Sequence, residues 1–125
     1  MIAYTDRVVE LLNPYFLEGN QYVESVLLSS YGLKIQFVSF DIQCNERVSA
    51  LISGTRYEWN DAPNPGPWGA LVRQKAMRST LKSPFSLSIT LESGDSIEIE
   101  TVEGQHESVI IQFPPREGSV VMEIF

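Results

Sequence analysis

Residues 84–113 read PFSLSITLESGDSIEIETVEGQHESVIIQF, and the hydrophobic period of this stretch decides the fold class. Leu87, Ile89 and Leu91 alternate with Ser88, Thr90 and Glu92, and beyond Gly94-Asp95 the period of two resumes with Ile97 and Ile99 against Ser96, Glu98 and Glu100. Such spacing predicts a hairpin with one dry face and one wet, acidic face. A two-residue turn at Gly94-Asp95 is expected, because glycine supplies the positive φ needed at its first central position. A second turn at Glu103-Gly104-Gln105 then feeds a third strand with Val109, Ile111 and Phe113 in phase.

Working outward, residues 5–13 read as a short helix whose first turn Thr5 and Asp6 cap or charge and which Pro14 stops. Gln21 to Ser29 and Leu33 to Phe37 alternate as two strands around a Ser30-Tyr31-Gly32 turn. Glu46 to Gly54 follows as a strand after Phe40-Asp41, and Thr55 to Trp59 continues or restarts it. Three prolines within residues 60–67 break regular structure and make a connector. Trp68 onward predicts a short turn and a strand over Lys75 to Lys82. Pro114 to Gly118 turns the chain into a terminal strand, Ser119 to Phe125. A shift of 54 positions lays Leu17 on Leu71, Ser25 on Ser79, Leu27 on Leu81, Leu33 on Leu87 and Ile35 on Ile89. Either the chain contains two similar halves, or two amphipathic hairpins have merely been slid into phase. The expected fold is α+β: a mostly antiparallel, strongly curved β-sheet made of two meander-like halves, with a short N-terminal helix laid across it.

The chain has 125 residues, 43% of them hydrophobic, which predicts one domain, 1–125, able to bury roughly two thirds of its unfolded surface. Its single cysteine, Cys44, forms no intrachain disulfide and reads as a small side chain in or near a strand. Neither a leader pattern nor about 18 consecutive apolar residues occurs, so a cytoplasmic protein is expected. Net charge is −7 and pI near 4.6, which disfavours direct binding to a phosphate backbone and favours a basic partner or simple solubility.

Chemistry-bearing motifs are sparse. The one histidine, His106, neighbours Glu107 and Ser108, but adjacent strand residues point to opposite faces, so the triplet does not converge on one substrate. Glu107 shares parity with Val109 and is expected to need an arginine partner (Arg56, Arg73 or Arg78) if it turns inward. One histidine and one cysteine fall short of a zinc site, no phosphate-cradling glycine loop occurs, and no cofactor is expected. Glu98 and Glu100 read as a solvated face more readily than as a catalytic carboxylate pair. Glu92, Asp95, Glu98, Glu100 and Glu103 together form the candidate partner-binding surface, an acidic patch that speeds encounter with a basic protein.

Three stretches carry a family resemblance: Ala70-Leu71-Val72-Arg73-Gln74 leading into a strand, Phe85 to Ile99 with its Ser-Gly-Asp turn, and Gly104-Gln105-His106-Glu107-Ser108-Val109. With the general plan, they resemble small β-rich bacterial immunity proteins of polymorphic toxin and contact-dependent growth inhibition systems, and related uncharacterised domains. Proteins of that kind usually have glycine at the position of Arg73. The resemblance implies a non-catalytic immunity protein that neutralises one cognate, basic, nuclease-type toxin domain; the aromatics of the Trp59 to Trp68 loop read more readily as lids on the core than as anchors beside the acids. Two alternatives stand beside it: a small enzyme or ligand-binding domain using the concave sheet face, and a homo-oligomeric adaptor pairing through Ser119 to Phe125.

Overall fold

The computed structural model describes residues 4–29, 32–60, 66–101, 109–116 and 119–125. Helix α1 (Asp6–Leu17) is followed by β1 (Val23–Leu28), β2 (Leu33–Phe37), β3 (Asp41–Cys44), β4 (Arg47–Ile52) and β5 (Thr55–Asn60). After a 3-10 turn (Trp68–Leu71) come β6 (Ala76–Ser83), β7 (Ser86–Leu91), β8 (Ser96–Glu100), β9 (Val109–Arg116) and β10 (Ser119–Ile124). The strands form two antiparallel five-stranded sheets, in the orders β1-β2-β3-β9-β10 and β5-β4-β8-β7-β6. The α+β class and the two meander-like halves anticipated from the sequence are both present.

The strand orders reveal how the halves are joined. The 54-residue shift carries β1, β2 and β3 onto β6, β7 and β8, and past them Arg47 of β4 corresponds to Val109 of β9 because the second connection is longer. Each half keeps its meander in one sheet but gives its following hairpin to the other. Thus β4–β5 pairs with β8, through Val48↔Ile99 and Ala50↔Ile97, while β9–β10 pairs with β3, through Ile42↔Ile111 and Cys44↔Val109. Only Asn45 and Glu46 separate β3 from β4, so the chain turns a corner between sheets there. Cys44, 1% exposed, fits that corner because its side chain is small; its Sγ lies 3.4 Å from Glu100 O and 3.6 Å from Arg47 O.

At the opposite side the sheets touch again through the starts of β1 and β6. Tyr22 bridges Lys75, Val23 N–H donates to Gln74 O (2.9 Å), Arg73 N–H to Val23 O (2.7 Å) and Ala76 N–H to Gln21 O (2.8 Å). Between the sheets lies a core of Leu33, Ile35, Ile42 and Ile111 from the first and Val48, Trp59, Leu87, Ile89, Ile97 and Ile99 from the second, each 0–1% exposed. Burying a side chain of this size contributes about 1.5–3 kcal/mol, so the inward parity of every central strand is strongly fixed.

Helix α1 covers the edge of the second sheet. Val8, Leu12 and Phe16, spaced four apart, form its buried face, and Tyr15 and Phe16 extend an aromatic cluster through Phe37, Phe40 and Phe113 with ring centroids 4.8–6.0 Å apart. Tyr4, just ahead of the helix, donates its hydroxyl to Ile99 O at 2.9 Å and packs on Phe125. The expected stop at Pro14 is corrected: the helix continues to Leu17 with Pro14 inside it. Proline forfeits one backbone bond, and the burial of Phe16 in the aromatic cluster offsets that loss.

Three further expectations are corrected. Asp41–Cys44 is a strand, too short to be signalled by its four residues. The turn between β7 and β8 is a three-residue loop, 92–94, closed by Leu91 N–H to Asp95 O (2.8 Å) and Gly94 N–H to Leu91 O (3.1 Å), with Gly94 in the left-handed region at φ 97. The strand after this hairpin, β9, joins the first sheet and runs on through Pro114-Pro115 to Arg116. Its pairing with β3 covers only 109–112, so both prolines fall where that flank requires no donor.

Asn13 ties the helix to the second sheet. Its carboxamide acts as a peptide group for the edge strand β6: Nδ2 donates to Ser79 O (3.2 Å), and Oδ1 accepts from Ser79 N–H (2.7 Å) and Ser79 Oγ (2.8 Å). Asn13→Ala leaves those buried groups without partners and is expected to lower the unfolding free energy by about 1–3 kcal/mol in urea denaturation. An unchanged midpoint would show that the edge is satisfied without the helix.

Candidate functional site

The second sheet has one face against the core and one that no described element covers. Register fixes the residues of the outer face. Glu58, Ser49, Glu98, Ser88 and Thr80 lie across the five strands in one row, with Arg47, Glu100 and Ser86 on one side of it and Arg56, Leu51, Ser96, Thr90 and Arg78 on the other. The sequence dictates this arrangement because each of these residues alternates with an apolar neighbour such as Val48, Ala50, Ile97 or Ile99.

Glu98 is at the centre. It is 8% exposed, between Ser49 at 2% and Ser88 at 4%, whose small side chains let the long ones fold over them. Its Oε2 accepts from Arg56 Nη2 at 3.0 Å, and its Oε1 is paired with Lys82 Nζ. Arg56 Nη2 also donates to Ser49 Oγ at 2.9 Å. The contacts continue from Arg56 Nε to Glu58 Oε1 (3.9 Å), from Glu58 Oε1 to Arg47 Nη2 (3.0 Å) and from Arg47 Nη1 to Glu100 Oε2 (3.5 Å). The outer face therefore carries a six-membered chain of alternating sign: Lys82, Glu98, Arg56, Glu58, Arg47, Glu100.

The five acids expected to act as one patch are separated by this geometry. Glu98 and Glu100 are already paired with the protein's own cations. Asp95 serves the turns, accepting from Ser53 N–H at 3.0 Å and from Gln74 Nε2 at 2.8 Å. Glu92 is exposed in the same loop, and Glu103 lies outside the described residues, as do His106 and Glu107. Trp59 and Trp68, at 0% and 2% exposure, belong to the core and offer no surface anchor. Arg47, Arg56, Glu58 and Lys82 were missing from the sequence-derived site. Parity on β4 and β5 points the first three outward, but their meeting with β8 depends on the hairpin exchange.

Other chemistry is limited in the described residues. No group of three or more His, Cys, Asp or Glu side chains gathers there, and no described helix is long and apolar enough to cross a membrane. Burial pushes the Cys44 thiol up to about 11, which makes it a poor nucleophile. The facing surfaces of the sheets are filled by core side chains. The larger openings are on the rim, including a groove of about 600 Å³ lined by Tyr22, Val23, Glu24, Val38, Val72 and Arg73. Arg73 sits there at φ 75, a conformation in which glycine costs least.

Comparison with known proteins returns no match: no family model fits the chain, and no curated protein or solved structure is similar to it.

The ion chain makes the acid limb of stability depend on Glu98. The hydrogen bond from Lys82, then that from Arg56, hold its carboxyl below the ordinary value of 4.5, against the opposing push of burial. A depressed folded-state value means that the stabilisation is present at neutral pH and disappears as pH falls through the carboxylate range. Asp41 has the opposite sign, since burial raises its carboxyl value despite Lys34. Glu98→Gln is expected to lower the denaturation midpoint at pH 7 and to flatten its fall between about pH 5 and 3. Parallel acid limbs in the two proteins would contradict the assignment.

Proposed function

We propose that the protein is a stoichiometric, non-catalytic binding protein of the immunity or inhibitor type, which works in the cytoplasm by occupying a cognate basic toxin domain. One observation carries this reading: the uncovered outer face of the second sheet presents Glu98 and Glu100 at fixed positions under cations that are themselves replaceable. Lys82 and Arg56 keep 58% and 52% of their side-chain surface exposed while paired with Glu98. A partner's lysine or arginine can displace either one. Because Glu98 is already largely removed from water, the exchange adds little new desolvation, the usual obstacle to burying an ion pair at an interface. The molecule's net charge of −7 supplies long-range attraction, and the local chain of charges supplies register.

In this reading the cations of the face act as placeholders. They keep the acids from repelling one another in the free protein and yield them on binding. Exposed Glu92 lies away from the ion chain, in a groove with Tyr22, Arg73, Gln74 and Lys75.

The test is co-purification with the product of the neighbouring reading frame, with binding measured at low and high salt. The expected result is a one-to-one complex that protects cells from that product. Charge reversal in Glu98→Lys with Glu100→Lys should weaken it by at least about tenfold, a change of about 1.4 kcal/mol. Lys82→Ala, which uncovers Glu98, should leave affinity equal or tighter. A complex indifferent to reversal, or no complex with any basic protein at low salt, would contradict the reading.

A further inference from the structure

Sheet edges invite pairing, and this molecule guards its edges unequally. Edge strand β6 is covered by α1 and saturated at Ser79 by Asn13. Edge strand β5 carries Arg56 and Glu58. Edge strand β1 is closed only at its beginning, where Val23 exchanges hydrogen bonds with Arg73 and Gln74. Beyond Val23 no further strand of the described residues pairs with its free side, although the 3-10 turn Trp68–Leu71 lies close by.

The free part is prepared for another strand. Ser29 N–H donates to Gly32 O, and alternation from that pair turns the N–H and C=O groups of Val26 and Leu28 away from β2. Leu28 faces the core side of the sheet opposite Leu33, yet it is 37% exposed because the sheet ends there, and Leu27 on the other face is 60% exposed. At the other end of the strand Tyr22, at 43%, and Val38, at 47%, line the rim groove. The strand contains no lysine and no proline, the residues that usually prevent edge pairing.

We propose that β1 pairs with β1 of a second copy of this chain, antiparallel about a twofold axis through Val26, to make one continuous ten-stranded sheet. The strand is self-complementary in this register. Val26 meets Val26 of the second copy, Leu27 meets Ser25, and Leu28 meets Glu24. Glu24, the only charge on β1, sits at the register shift between Val23 and Ser25 and does not fall opposite its own copy, so the like-charge clash that blocks many self-pairings is absent. The segment Arg73 to Lys75 ends the free edge at Val23, limiting the pair to residues 24–28, an ordinary strand length. Basic Arg73 and Lys75 stand at that end, offsetting locally the repulsion between two acidic molecules.

Light scattering on the 125-residue chain between about 10 and 500 µM, the range of modest self-association, provides the test, joined to amide exchange at Val26 and Leu28. The expected result is a mass rising from 14.1 kDa to twice that value, with slower exchange at both amides as concentration rises. Val26→Pro removes an outward N–H that the β1–β2 hairpin does not use, so it is expected to fold and to remain at the single-chain mass. Leu28→Lys is expected to do the same, and it decides the matter if the proline variant fails to fold. A mass of 14.1 kDa throughout overturns the proposal. So does a dimer that persists in these variants with fast exchange at Val26 and Leu28, which would place the contact at another edge such as β10. Protection of Val26 only on adding a different protein would overturn it as well, by assigning the edge to that protein.

Discussion

The structure depends on an exchange of hairpins. β4 is linked to β3 by only two residues, yet it pairs with β8, and β9 in turn pairs with β3. Each sheet therefore contains strands from both halves of the chain, and neither half can complete a sheet alone. The long-range pairs Val48↔Ile99 and Ile42↔Ile111 join residues more than fifty positions apart, and both sit in the dry layer where burial contributes most. The second point of contact, around Val23, Arg73 and Gln74, holds the beginnings of the two meanders against each other. Helix α1 then covers one edge and fills the aromatic end of the core.

The outer face of the second sheet is a consequence of that exchange. Without β4 and β5 beside β8, Glu98 and Glu100 would form the acidic ridge that their own stretch of sequence describes. With those strands in place, Arg47, Arg56 and Glu58 arrive from one flank and Lys82 from the other, and the ridge becomes a chain of alternating charges. Exposed ion pairs contribute little to stability, about 0–1 kcal/mol each, so the chain is better understood as a means of presenting charge in a fixed pattern. Only Glu98, under its two cations and between two serines, is buried deeply enough to couple the face to the acid stability of the fold.

What was legible in the sequence was local. The alternation in β2, β6, β7, β8 and β10 placed those strands to within a residue or two, because a half-buried strand must repeat every two positions. The 54-residue shift was visible for the same reason, and its extension to β9 was hidden because the second connection is longer than the first. β3 was missed because Asp41–Cys44 offers only two inward positions, Ile42 and Cys44. The end of α1 was misplaced because a local rule about proline cannot weigh the distant packing of Phe16. The candidate site was half legible: parity put Glu98 and Glu100 on one face. Lys82 lies at a register shift between Leu81 and Ser83, where alternation no longer indicates direction, and the arginines come from strands whose adjacency no local pattern encodes.

The exchanged hairpins make both sheets one cooperative unit. Native-state amide exchange across a denaturant series reads this directly at Ile42 in the first sheet and Ile97 in the second. Shared strands predict that both amides open with the same free energy and the same denaturant dependence, equal to those of global unfolding. Exchange at Ile42 through an opening several kcal/mol below that of Ile97 would show instead that the first sheet comes apart by itself and that the hairpin exchange does not couple the two.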